Sequence, residues 1–228
     1  MFVQLISGRT SDAEGVRRAL DRWMRDLQPG ATGWLGSTVG ITDDGRFFAL
    51  ARFESAEAAA RNSARPEQDR WWHETGQLFD GEVDFAETED VEVDRIGDLD
   101  RAGFVQVMRG RVTDRERARE LVGQLSTGDM AQFRPEILGT VLVNHDADRW
   151  TQAIYFTSEA EAREGERKEP PAQVRAVMEE LMSLDSEPPE FIDLRQPMLQ
   201  SPPAPGADVP GPRAAAATET AQKAESAG

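Results

Sequence analysis

Cysteine is absent from this chain of 228 residues. Disulfides, thiolate metal sites and cysteine nucleophiles are therefore excluded. Lysine occurs only at Lys168 and Lys223, so the basic residues are almost all arginine. Histidine occurs twice, at His73 and His145, and tyrosine once, at Tyr155. Two histidines this far apart, without a paired carboxylate pattern, do not make a metal site, and no metal is expected. They also do not assemble a Ser-His-Asp constellation. Glycine-rich phosphate loops, nucleophile elbows and zinc-protease motifs are all missing. No stretch approaches ~18 apolar residues, so no membrane span is expected. The N-terminus lacks a basic segment, an apolar run and a cleavage site. That pattern predicts no signal peptide and a cytoplasmic location.

Positive charge is also scarce. There are 42 acidic and 26 basic side chains, for a formal net charge of -16. This balance argues against nucleic acid or an anionic membrane surface as partner. It leaves a small-molecule ligand open. Ten carboxylates fall between Asp80 and Asp100, a density that reads as a solvated face.

What the chain does contain is a repeat. FVQLISGR at Phe2–Arg9 returns as FVQVMRGR at Phe104–Arg111, 102 positions later. Such a period is too long for a solenoid and points to a duplicated domain. In the first copy, Phe2–Ser7 reads as a strand, with Phe2, Gln4 and Ile6 on one face and Val3, Leu5 and Ser7 on the other. Ser11-x-x-Glu14 matches a capping box. Val16, Ala19, Leu20, Trp23, Met24 and Leu27 follow at helical spacing, and Pro29–Gly30 stops that helix. Trp34–Ile41 and Arg46–Phe53 are strands joined by the Asp43–Asp44–Gly45 turn. Ser55 opens an Ala-rich helix, Pro66 breaks it, and Glu67–Phe79 resumes. A strand is predicted from Val83 to about Glu92.

The second copy repeats this order. Phe104–Arg109 is a strand, and Thr113-x-x-Glu116 is a second capping box. A helix follows and ends at Gly128. Ile137–Asn144 and Arg149–Phe156 are strands, with Leu138–Gly139 matching Leu35–Gly36, and Phe156 matching Phe53. Ser158 matches Ser55, and Pro170–Pro171 match Pro66. Val174, Val177, Met178, Leu181 and Met182 form a helical stripe before a closing strand at Phe191–Leu194. The predicted class is α+β, with two tandem ferredoxin-like units packed as an intramolecular pseudo-dimeric α/β barrel. The predicted units are 1–97 and 104–199, with a linker at 98–103. Residues 200–228, rich in Pro, Ala and Gly, read as a disordered tail. A higher homo-oligomer is left open.

This pattern resembles the antibiotic-biosynthesis-monooxygenase-like superfamily of dimeric α/β barrels. The resemblance is carried by Gly33–Ala60: a glycine-flanked second strand, a hairpin, an aromatic third strand and a Phe-Glu-Ser opening to the second helix. A partial echo lies at Leu138–Ala162. The resemblance implies a cavity between sheet and helices or inside the barrel. The haem-degrading branch uses an Asn on the first strand and a Trp and a His on the second helix. Here Gln4 and Ser7 stand nearest that Asn, and Trp71, Trp72 and His73 are adjacent instead of separated. No cofactor is therefore expected.

The candidate site residues follow from chemistry and from this resemblance. His73 is the one histidine predicted on a helix, and with Gln4 it is the acid/base and orienting candidate. Trp71 and Trp72 are candidates to wall an apolar pocket, or to be core. Gln4 and Gln106 occupy the same position in the two copies, and a buried amide there demands a partner. Arg52 is a candidate for an anionic ligand and Tyr155 for a phenolic hydrogen bond; each equally suits capping of the sheet edge. His145, aligned with Thr42, reads as a turn residue. The expected function is cofactor-independent monooxygenation of a small aromatic or quinone-like substrate. The alternatives are a non-catalytic small-molecule-binding or structural protein, and an acidic surface for a basic protein.

Overall fold

The computed structural model describes residues 1–125 and 131–202. The predicted helix stop at Gly128 and most of the predicted tail lie outside these residues. The first half runs β1 (Phe2–Arg9), α1 (Ala13–Arg22), β2 (Trp34–Ile41), β3 (Arg46–Phe53), α2 (Ala56–Ser63), α3 (Pro66–Gly76) and β4 (Asp84–Thr88). After β5 (Val91–Arg95), the second half runs β6 (Phe104–Arg111), α4 (Arg115–Gln124), β7 (Ile137–His145) and β8 (Arg149–Phe156). It closes with α5 (Glu159–Gly165), α6 (Ala172–Leu184), β9 (Glu190–Leu194) and β10 (Met198–Gln200).

Two antiparallel sheets result, ordered β10-β2-β3-β1-β4 and β5-β7-β8-β6-β9. The repeated segments β1 and β6 occupy equivalent places. Each lies between the third and fourth strands of its ferredoxin-like unit. The extra strands cross over: β5 follows the first unit yet pairs with β7, and β10 follows the second unit yet pairs with β2. This corrects the single strand predicted for Val83–Glu92. Glu89 and Asp90 turn the chain, and the two pieces belong to different sheets. Likewise Gln200, predicted to begin a tail, ends a paired strand.

Local chemistry explains the helix ends, with two corrections. Asp12, not Ser11, caps α1 by accepting from the Gly15 amide at 2.8 Å. Asp114, not Thr113, caps α4 by accepting from Arg117 at 2.9 Å. Ser11 and Thr113 instead tie their loops to Asp80 and to the Leu184 carbonyl. A carboxylate at the cap also meets the positive end of the helix dipole, which favours Asp over a neighbouring hydroxyl. Ser55 and Ser158 do cap α2 and α5, and Pro66 starts α3. Beyond Arg22 the first helix continues as a π-turn over Trp23–Leu27.

Strand alternation divides the core into layers. Val3, Leu5, Phe48 and Leu50 of the first sheet share one buried cluster with Val105, Val107, Val141, Val143, Ala153, Tyr155, Ile192 and Leu194 of the second. The two sheets thus face each other. On the outer face of the first sheet, Phe2, Trp34 and Phe53 pack with Trp23, Leu27, Ala58, Ala59 and Trp71 from the helices. Val39, Ile41 and Phe47 pack there with Val16 and Phe79. Each fully buried Val, Leu, Ile or Phe side chain among these contributes roughly 1.5–3 kcal/mol. The corresponding cluster in the second half, Phe104, Ile137, Phe156 and Ala162, is smaller.

Candidate functional site

A cavity of about 120 Å³ opens at one end of the space between the sheets. Leu5, Ser7 and Ala86 line it from the first sheet, and Arg109, Gly110, His145 and Thr151 from the second. Asp84 and Arg149 also line it, whereas the Phe85 and Trp150 rings project to the helix sides of their sheets, onto Trp72 and toward Asp185. Asp84, Phe85 and Arg149 are exposed, so this side is open to solvent. Drug-sized sites are typically ~300–1,000 Å³. The cavity therefore accepts about one ring or its polar substituent, with the remainder of a ligand extending outward.

His145 is held on three sides. It is the last residue of β7, and alternation points its side chain the same way as Val141 and Val143, toward the other sheet. The turn residue expected from sequence is thus a half-buried pocket residue. Asp146, the one non-glycine residue with positive φ among the described residues (φ 52°), brings its carboxylate 3.3 Å from Nδ1. Nε2 lies 3.1 Å from the Thr151 hydroxyl. Arg115 clamps the hairpin by donating to the carbonyls of His145, Asp146 and Arg149 at 3.1–3.2 Å. Burial pushes the imidazole pKa down from its ordinary 6.5, Asp146 opposes this, and Arg109 and Arg149 reinforce it. Both nitrogens are satisfied when Nδ1–H donates to Asp146 and Nε2 accepts from Thr151. That one lone pair, at Nε2, can take a proton from a bound molecule once the Thr151 hydroxyl turns away from it.

Arg109 reaches across the sheets. Its Nη2 donates to the Ser7 hydroxyl, and its guanidinium carbon sits 5.1 Å over the Phe48 ring. Its Nε is buried without a hydrogen-bond partner among the described residues. Burial pushes this guanidinium below the usual arginine pKa, while Glu190 and Asp84 pull the other way.

Ser7, noted on the first strand, and His145, read as a turn residue, line this cavity, but none of the candidate site residues His73, Gln4, Trp71, Trp72, Arg52, Gln106 and Tyr155 does. His73 is exposed on α3, 3.5 Å from the Gln77 amide. Gln4 faces the helix side and donates to its cross-strand neighbour Glu87 at 2.6 Å. Gln106 does the same with its own cross-strand neighbour Asp193 at 3.2 Å. Trp71 is core: its indole donates to the Ala19 carbonyl at 2.8 Å and packs on Trp23. Trp72 packs between Phe79 and Phe85. Arg52 and Tyr155 do not cap a sheet edge. They sit on central strands, 3% and 1% exposed, on the inner faces. The Tyr155 hydroxyl meets Thr38 of the opposite sheet at 2.6 Å. Burial raises its pKa above the ordinary 10.0, against the Thr38 hydrogen bond and the Arg52 charge.

Sequence reasoning missed Arg109, His145 and Thr151. A signal existed in the broken symmetry of the repeat. Where the second half has Arg109, His145 and Thr151, the first has Ser7, Thr42 and Phe48. Among the described residues, no cluster of His, Asp or Glu could hold a metal ion.

No family model matches the sequence, and no curated protein matches it. The fold does have relatives among solved structures. A candidate monooxygenase from Lactobacillus acidophilus NCFM superposes with a TM-score of 0.66 at 13% identity, covering 88% of this chain and 99% of that one. A second candidate monooxygenase, from Fusobacterium nucleatum subsp. nucleatum, gives 0.69 at 10% identity over 88% and 94% of the two chains. An anthrone oxidase-like protein gives 0.64 at 13% identity over 88% and 92%. Each match spans both halves of this chain. At such identities the likeness is one of fold.

Proposed function

We propose that this chain is a tandem-duplicated relative of the antibiotic-biosynthesis-monooxygenase-like proteins, and that its two sheets close as a pseudo-dimeric α/β barrel. Contacts between β4 and β7, and the approach of Leu194 to Gly40, support the closure. We further propose cofactor-independent oxidation of a small aromatic or quinone-like substrate at the inter-sheet pocket. The observation that carries this reading is the meeting of a partnered, neutral-leaning His145 and an Arg109 that forms no ion pair among the described residues on one small cavity.

In this reading, the substrate displaces the Thr151 hydroxyl from His145 Nε2, which then takes a proton from an activated C–H or hydroxyl of the substrate. Charge left on the substrate is stabilised by the Arg109 guanidinium. The electron-rich ring then reacts with oxygen. For an activated methylene the balance is CH2 plus O2 to C=O plus H2O, with the substrate carbon oxidised and O2 reduced. The fold-level likeness to an anthrone oxidase-like protein supports this direction but does not identify the substrate. A second reading, ligand binding without chemistry, is favoured by the small size of the cavity.

The test is native mass spectrometry against small aromatic and quinone-like compounds, followed by oxygen uptake on those retained. Uptake should fall ~10²–10⁴-fold in His145→Gln, the usual worth of a general base. It should persist in His73→Gln. Retention without uptake selects the binding reading, and no retention with no uptake ends both.

A further inference from the structure

The helix sides of the two sheets are filled unequally. In the first half Val16, Val39, Ile41, Phe47, Ala49 and Phe79 close into one buried cluster beneath the helices. Strand register puts Leu142, Asn144, Trp150 and Gln152 where the first half has Val39, Ile41, Phe47 and Ala49. Leu142, Trp150 and Gln152 are only half-buried. Phe79 lies against Phe47 with ring centroids 4.9 Å apart, whereas Trp150 has the Asp185 carboxylate 3.3 Å from its indole Nε1. The buried cluster on this side of the second sheet is confined to Phe104, Ile137, Phe156 and Ala162, at the other end of the strands. The apolar stripe of α6 stays on the surface as a result. Val174 is buried, but Met178, one turn on, is 42% exposed, and Met182 is 69% exposed. Phe191, beside Met108 on the same side of the sheet, is 49% exposed and has no ring packed on it among the described residues. Its counterpart Phe85, beside Ile6, has Trp72 against it at 5.3 Å.

The charge around this stripe selects its occupant. From Glu179 to Glu190 the chain carries five carboxylates and no basic residue. Arg117, Arg111 and Arg46 reach Glu180, Glu187 and Glu190 from other elements, and Glu179 forms no ion pair among the described residues. A second copy of the chain would bring the same acidic run and another net charge of -16 to the contact, which repels. A cationic partner is attracted instead. Unbranched methionines one turn apart on a helix adapt to the apolar side of another helix. We infer that the α6 face is a docking surface for a basic amphipathic helix of another protein, with its apolar side on Met178 and Met182 and its cations toward Glu179 and the carboxylates that follow. The face lies on the outer side of the second sheet, away from the cavity between the sheets, and docking there is independent of the chemistry proposed for that cavity. The first half offers no such face, because Trp72 and Phe79 fill it.

The experiment uses the full chain with ¹³C-labelled methionine methyls. It is titrated with a synthetic leucine–lysine helix of about four turns, and with a twin carrying glutamate in place of each lysine. The lysine peptide should bind at least about tenfold more tightly than the glutamate twin. It should also move the Met178 and Met182 methyl signals, and its binding should weaken with added salt. Met178→Gln combined with Met182→Gln should lower its affinity at least about tenfold. The methyl signals of the unaltered protein decide the matter should that variant fail to fold. Equal binding of the two peptides, no binding of the lysine peptide, or binding with both methyl signals unmoved would each overturn the inference. A soluble gadolinium chelate tests the chain alone, and it should broaden both methyl signals. Shelter at every protein concentration would show the chain covering this face itself. Shelter that grows with protein concentration would show a second copy there, and either result would overturn docking of another protein.

Discussion

The hydrogen bond between Thr38 and Tyr155 offers a sharp test of how the two sheets are joined. It links β2 of the first sheet to β8 of the second at 2.6 Å, between residues that are each 1% exposed. Tyr155→Phe removes one partner and leaves the Thr38 hydroxyl buried without it. Thr38→Val removes the other, preserves shape and β-branching, and strands the phenol. Leaving a buried polar group unsatisfied costs about 1–3 kcal/mol, so each single change should destabilise by that amount. The double variant should be no worse than the worse single, because both orphaned groups are gone. The expected coupling is therefore at least about 1 kcal/mol, above the ~0.5 kcal/mol scatter of independent sites. Urea unfolding followed by tryptophan fluorescence would measure it, with unchanged slopes as the check that only stability moved. Strictly additive losses would refute the contact. Because Tyr155 is the only tyrosine, phenolate absorbance provides a second readout. Its folded pKa is raised above 10.0 by burial, so the fold holds the neutral phenol. The stability linked to it is complete below that ordinary value and is lost as pH rises from there through the folded value. Reversible ionisation at the ordinary value in the native protein would contradict the buried placement.

Two further outcomes follow from the geometry. Gly36 has φ +131°, and a Cβ there would lie 2.5 Å from Arg52 Nη2 and 2.6 Å from the Gln200 carbonyl. Gly36→Ala should cost ~1–3 kcal/mol, read as a lower urea midpoint, and a neutral effect would place β10 elsewhere. His145 is half-buried, a depressed-pKa imidazole facing Asp146, Arg109, Arg149 and Thr151. The unfolded chain binds its proton first, so stability should be highest above about 6.5 and should fall as pH drops from there toward the folded value. His145→Gln should flatten that part of the profile, and a slope unchanged by the substitution would exclude His145 as its source.

Much of the architecture was legible because it is local and repeated. Alternation in Phe2–Arg9 assigns Val3 and Leu5 to one face and Phe2 and Ile6 to the other, and the clusters follow that division. Trp34–Ile41 and Arg46–Phe53 run as strands with the expected bounds, since the Asp-Gly turn and β-branched or aromatic residues agree. The crossing strands were not legible. Val91–Arg95 follows β4 after a two-residue turn, and nothing in an acidic stretch of five residues says which sheet will accept it. Gln4 and Gln106 were legible as polar positions that need partners. Their partners, Glu87 and Asp193, arise from strand register, which a sequence without pairing information does not contain.

The sequence by itself determined most of the helices and strands, the two faces of the first strand and the recurrence of the Phe2–Arg9 segment after 102 residues, because these depend on periodicity and turn chemistry. The tertiary structure alone decided the site. Ser7 touches Arg109 only when the two copies of the repeated strand face each other across the sheets. His145 reaches the same cavity only because β7 extends one residue beyond the expected strand and keeps its inward phase. A cavity belongs to the space between elements, and that space exists only once the two halves have packed.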